Sequence, residues 1–155
     1  MIILTVDGPP TPWKRPGYNH KNRVVFDTQK KEKEQCRWQL RAQMKEKPFT
    51  VPLEMEVIFY MEIPESTSRP RRKQMLRNEI HHMIKPDVDN LQKYILDCMT
   101  GVVYEDDCQV VDIRARKIYS ETPRTVMCIL PKSSCTYKGN PDYAGQPLFE
   151  EGEEL

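Results

Sequence analysis

The stretch Lys85-Pro86-Asp87-Val88-Asp89-Asn90-Leu91-Gln92-Lys93 holds the residues best suited to chemistry. Pro86 pushes Lys85 away from the α region, so the chain is expected to arrive extended. Residues i and i+2 of an extended segment face the same way, and Asp87 and Asp89 can therefore aim two carboxylates at one point. Two carboxylates held together repel unless a proton or a cation lies between them. Ligands that are all oxygen select a hard ion, Mg²⁺ or Mn²⁺, over zinc. Asp89 is also a good N-cap for a following helix, and Gln92 three residues on completes a capping-box pattern. Lys93 lies one turn beyond Asp89 on the same helix face.

A second acidic cluster, Glu105-Asp106-Asp107, follows Val102-Val103-Tyr104. If it sits at the same edge of the sheet as Asp87 and Asp89, the two clusters meet, with a helix over 88–100 as connector. They would then hold one or two divalent ions, a phosphodiester and an attacking water, as two-metal nucleases do. Lys93 would stabilise the negative charge of the pentavalent state or orient the water. Spacing does not choose between Asp106 and Asp107. Each piece alone has a plainer reading: a D-x-D as cap and turn, a D-D as turn chemistry, Lys93 as a solvated helix residue. His81 and His82 are weaker metal candidates, since a strand histidine is more often structural.

These residues must be positioned by regular elements. Residues 2–6 (IILTV) read as a short buried strand, stopped by Gly8-Pro9-Pro10. Residues 10–23 form a Pro-interrupted basic loop with Lys14, Arg15, Lys21 and Arg23, interleaved with Trp13 and Tyr18. Thr28 is the expected N-cap of a helix over 29–46, whose apolar stripe is Cys36, Leu40 and Met44. Residues 51–62 alternate as a strand with one buried face. A basic run, Arg69, Arg71, Arg72, Lys73 and Arg77, is a short helix after Pro70 or a mobile loop. Residues 80–84 (IHHMI) read as a strand. Leu91, Ile95 and Cys98 fall at helical spacing, and Gly101 closes that helix. Strands are expected at 102–104 and 110–119, joined across the acidic cluster, and at 124–130. One mixed sheet flanked by helices, an α+β fold with α/β character, is the natural architecture. It forms a single domain over 1–131, followed by a flexible polar, acidic tail over 132–155.

The 155 residues carry 24 Lys and Arg against 23 Asp and Glu, a net charge of +1. That near-neutrality is an average. Residues 140–155 hold five acids and no cation, so the remainder carries +6. No apolar run approaches the roughly 20 residues needed to span a membrane. The N-terminus MIILTVDGPP is expected to carry no export signal. Five Cys with no CxxC pair argue against a disulfide framework or a zinc site, and for reduced thiols in a cytoplasmic protein.

Residues 85–119, KPDVDNLQKYILDCMTGVVYEDDCQVVDIRARKIY, resemble the RusA family of Holliday-junction resolvases. They show D-x-D-N-L-x-K, a helix with a further acid at Asp97, a short link, a hydrophobic pair, D-D and Q-V, in that order. The resemblance implies a homodimeric, Mg²⁺-dependent endonuclease that cuts four-way DNA junctions. Carried over position by position, it implies metal-site carboxylates at Asp87, Asp89 and Asp107 and an essential Lys93. Asp106 stays with the metal-site candidates as the neighbouring acid. The phosphate backbone would meet Lys14, Arg15, Lys21, Arg23, Arg69, Arg71, Arg72, Lys73, Arg77, Arg114 and Arg116, the last two reaching either DNA or a neighbouring carboxylate. Trp13 or Tyr18 would stack on an unpaired base, or Trp13 would pack on its prolines. The competing readings are a non-catalytic junction-binding module and a Mg²⁺-dependent nucleotide phosphohydrolase.

Overall fold

The structure, a computed structural model, describes residues 1–19, 21 and 23–132. The expected acidic tail lies outside the described residues from position 133. In chain order the elements are β1 (Ile2–Asp7), β2 (Gly17–Asn19), β3 (Val24–Phe26), α1 (Lys30–Gln43), β4 (Leu53–Glu62), α2 (Arg69–Leu76) and α3 (Val88–Met99). A 3₁₀ turn (Asp107–Gln109), β5 (Val110–Ser120) and β6 (Arg124–Pro131) complete the chain. This is the α+β architecture expected.

Four strands form one mixed sheet in the order β1-β6-β4-β5. β6 runs antiparallel to both β1 and β4, while β4 and β5 pair in parallel from Leu53↔Val110 to Glu62↔Ser120. Parallel neighbours cannot be joined by a hairpin; the chain must return along the sheet, and α3 is the returning element. Alternation along β4 puts Leu53, Met55, Val57, Phe59 and Met61 into the core. Leu91, Tyr94, Ile95, Cys98 and Met99 of α3 and Cys36 and Leu40 of α1 cover them. Gly101, with φ at +75°, ends α3 in a conformation that a side chain would resist. Cys36, Cys98 and Cys128 are buried fillers, and Cys108 is exposed.

Several local expectations are corrected. Residues 80–84 form no strand: Ile80 and His82 pack inward, but Met83 and Ile84 are exposed and the segment is held by side chains rather than by a ladder. Residues 102–104 form a tight turn, with Val102 and Val103 N–H groups both donating to the Met99 carbonyl. All three side chains are buried, which a half-buried strand cannot achieve. The basic loop contains β2, which pairs with β3 as a separate two-stranded ribbon. The Phe26 ring lies over Gly17, where a Cβ would collide with it. The basic run takes the helical option as α2, with Pro70 in its first turn.

The N-cap of α1 is Gln29 rather than Thr28. Its side chain, 1% exposed, is spent elsewhere: Nε2 donates to the Pro12 carbonyl at 2.9 Å, and Oε1 accepts the Lys14 N–H at 2.6 Å. The Gln29 N–H donates to Asp27 Oδ1, which with Lys33 holds the Asp27 carboxyl below its usual range. One buried amide thus fixes the loop that follows β1. Gln29→Ala is expected to lower the unfolding free energy by about 1–3 kcal/mol, since it strands a buried donor and acceptor. Urea denaturation followed by circular dichroism measures this.

Candidate active site

α3 begins where Asp87, in extended conformation, serves as its N-cap. The expectation that Asp89 caps the helix is therefore corrected; Asp89 lies inside the first turn. The two carboxylates are not neighbours along a strand. They stand at the N-cap and at the second position of one helix. The Asp87 side chain makes no capping hydrogen bond, and both residues are exposed.

The approach to Asp87 is held from the sheet. Lys117 of β5 reaches across with Nζ to the Ile84 carbonyl at 3.0 Å and the Pro86 carbonyl at 2.8 Å. His82, 8% exposed, packs its ring on Tyr119 at 4.9 Å, and among the described residues its Nδ1 has no partner. Burial, and then the Lys117 charge, hold its pKa below the ordinary 6.5. His82 and Lys117 together pin an irregular segment whose last residue presents a carboxylate. Neither signal was expected from sequence; only the parity of β5, which points Lys117 to the helix side, carried a hint.

Asp106 and Asp107 lie elsewhere. Glu105 N–H donates to the Phe49 carbonyl, and the Gln109 side chain donates to the carbonyls of Phe49 and Val51. These contacts fasten the D-D turn to the end of the sheet where β4 and β5 start. Lys117, Glu121 and the start of α3 lie at the other end, where these strands finish. The helix between them has 12 residues, about 18 Å of rise. Within one chain, then, the D-x-D and the D-D do not meet: α3 carries the chain away from one end and delivers it to the other. Consistently, among the described residues no three Asp, Glu, His or Cys side chains come close enough to share a metal ion.

The structure does separate the two acids. Asp106 caps the 3₁₀ turn: its carboxylate accepts the Cys108 N–H at 2.9 Å, and Gln109 Oε1 in return accepts the Asp106 N–H. The Cys108 N–H holds the Asp106 carboxyl below its usual range. Asp107 follows in the exposed first turn without that task.

The cations divide likewise. α2 sits at the Asp87 end, its Met75 packed with Ile63 and Tyr119. Arg69, Arg71 and Lys73 are exposed there. Arg72 instead grips Glu121 bidentately, with Nε at 2.6 Å and Nη2 at 2.5 Å. Arg77 lies 3.8 Å from Glu79. Lys14, Arg15, Lys21 and Arg23 are exposed on the loop and hairpin that start beside α3. Arg114 and Arg116 alternate with Lys117 and so occupy the opposite sheet face, where Arg116 reaches buried Glu56 at 3.1 Å. Trp13 packs on the core rather than only on its prolines. Its backbone N–H donates to the Asn90 carbonyl at 2.8 Å, and Lys93 Nζ lies 3.7 Å above its ring centre.

A mixed sheet with an acidic helix start, a lysine one turn on and flanking cations has the features of a phosphodiester-handling site. Residues 7–129 match the family described as Endodeoxyribonuclease RusA, and the chain belongs to that family. It is also similar to the uncharacterized protein YqaN of Bacillus subtilis (strain 168), with 38% identity over 82 residues. That alignment takes in 52% of this chain and 58% of the relative, so the match spans little more than half the length of either.

Two outcomes follow from this geometry. Lys117→Met is expected to accelerate amide hydrogen exchange over residues 84–91 at least about tenfold, the size of losing roughly 1.5 kcal/mol of hydrogen bonding to a charged group. Because burial and the Lys117 charge lower the His82 pKa in the fold, the unfolded state binds its proton first, and stability falls as pH drops through and below 6.5. His82→Phe should flatten that part of the pH dependence, read as the urea midpoint between pH 7 and pH 5.

Proposed function

We propose that this protein is a Mg²⁺-dependent endodeoxyribonuclease that resolves four-way DNA junctions as a homodimer, with each active site shared between two subunits. The observation that carries the reading is the gathering of Asp87, Asp89 and Lys93 with two exposed cationic segments at one end of the sheet. Phosphates attract the cations, and a carboxylate pair amid them has a use only with a cation between it and the DNA.

Topology supports the sharing. One chain supplies two carboxylates at the start of α3 and a third, Asp107, at the far end of that helix. A two-fold axis that sets the Asp87 end of one subunit against the Asp107 end of the next completes two equal sites. Two equal sites are also what symmetric cutting of a four-way junction requires. The donors, all carboxylate oxygens, suit Mg²⁺ and would accept Mn²⁺. Such an ion, when bound, neutralises phosphate charge and lowers the pKa of water. Asp87 and Asp89 of one subunit and Asp107 of the other would hold it, and Asp106 would keep the turn in shape. Lys93 would neutralise the extra charge on the phosphate oxygens as the pentavalent state forms. Lys14, Arg15, Lys21, Arg23, Arg69, Arg71 and Lys73 would track the backbone. Arg72 and Arg116 are committed to carboxylates and would contribute less. The setting is the cytoplasm, where DNA is at hand and the thiols stay reduced.

Purified protein should nick a four-way junction in Mg²⁺ and leave linear duplex and deoxynucleoside triphosphates intact. Triphosphate hydrolysis, or binding without nicking, would sink this reading. Asp87→Asn and Asp107→Asn should each abolish cleavage and keep junction binding. Mixing the two inactive proteins then decides the sharing. In a heterodimer one site collects both substitutions and the other collects neither, so nicking returns to about one quarter of the wild-type level. Sites built within single subunits would stay dead in the mixture.

A further inference from the structure

Three successive residues of the loop after β1 are anchored. The Pro12 carbonyl and the Lys14 N–H are both held by the buried Gln29 side chain, at 2.9 and 2.6 Å. Between them, the Trp13 N–H donates to the Asn90 carbonyl in the first turn of α3, at 2.8 Å. The indole that this clamp presents packs on the core, and one ring face meets the Lys93 ammonium 3.7 Å from its centre. Lys93 is otherwise an exposed side chain with four rotatable bonds. A cation over an indole face is attracted by the ring quadrupole, most strongly for Trp among the aromatic residues.

We propose that Trp13 is a positioning residue for Lys93: the clamped indole holds the ammonium on the side of α3 that carries Asp89, ready for phosphate. This rests on the nuclease reading for its purpose, though not for its geometry. It also gives Trp13 a task other than stacking on DNA bases, because the ring is occupied by the lysine on one side and by the core beneath it. The clamp makes the basic loop and the catalytic helix one unit, so an ordered loop and an oriented lysine come together.

The test compares Trp13→Phe, which keeps an aromatic face, with Trp13→Leu, which keeps apolar packing alone. Single-turnover cleavage of a four-way junction made from synthetic oligonucleotides should fall about 3–10-fold in Trp13→Leu, the rate equivalent of one cation–π contact. Trp13→Phe should recover most of that loss. Junction affinity, measured in Ca²⁺, should stay within about twofold for both. Equal rates for the two variants would overturn the proposal, and so would a loss confined to affinity, which would assign Trp13 to base stacking. A second measurement needs neither variant to fold nor the protein to cut DNA. The chain has two tryptophans, and Trp38 is 70% exposed on α1. In a Trp38→Phe background the emission reports Trp13 alone, and Lys93→Met should change it. Superimposable spectra would overturn the contact. A wild-type protein that cuts no junction would overturn the nuclease reading instead, leaving the spectra to decide the contact.

Discussion

The parallel pairing of β4 with β5 governs everything else in this molecule. Antiparallel neighbours meet through a turn, and acids placed before and after such a turn would lie together. Parallel neighbours force the chain to travel the length of the sheet between them. α3 makes that journey, buried along its Leu91, Tyr94, Ile95, Cys98 and Met99 side. Its start and finish therefore face opposite ends of the domain, and so do the acids that flank it. The separation of the two acidic clusters within one chain is a consequence of strand direction.

Around the start of α3 the fold concentrates anchoring of an unusual kind. Side chains hold backbone: Lys117 takes two carbonyls on one flank, Gln29 takes a carbonyl and an amide on the other. Both anchored segments are irregular, the loop after β1 with four prolines and the approach to α3 with Pro86 alone, and neither is secured by ladder or helix bonds. A lysine charge and a buried primary amide do that work locally, so that exposed acids and cations stand on backbone that is not free to drift. The far end of α3 is built otherwise, by the reciprocal bonds of Asp106 and Gln109.

Much of this was legible in the residues, and the part that was not has a common cause. α3 was readable because its stripe repeats at helical spacing and Gly101 marks its close. β4 and β6 were readable from alternation and turn chemistry. What alternation does not encode is which way a neighbouring strand runs, since the same side chains satisfy either pairing. The condition on which the two acidic clusters would meet, a shared edge of the sheet, is not fulfilled within one chain for that reason. The supposed strands at 80–84 and 102–104 failed more locally: short apolar runs fit a buried turn or a pinned loop as well as a strand. The candidate site residues were chosen by type and spacing, but the cap that sets Asp106 apart from Asp107 needed the geometry. Trp13 was visible as an aromatic among cations, while its partner, 80 residues away, was not.

The length of α3 has a meaning beyond packing. A helix is a screw as well as a rod, and each residue added or removed turns everything beyond it by about 100°. A one-residue change within α3 would swing the buried stripe out of the core, or the downstream acids off their bearing. Only steps close to a whole turn would keep both in phase, and each such step would move the two acidic ends about 5.4 Å apart or together. The twelve residues of α3 thus act as a gauge block, fixing distance and bearing at once. Drift in this segment among related chains should come in helical turns or not at all.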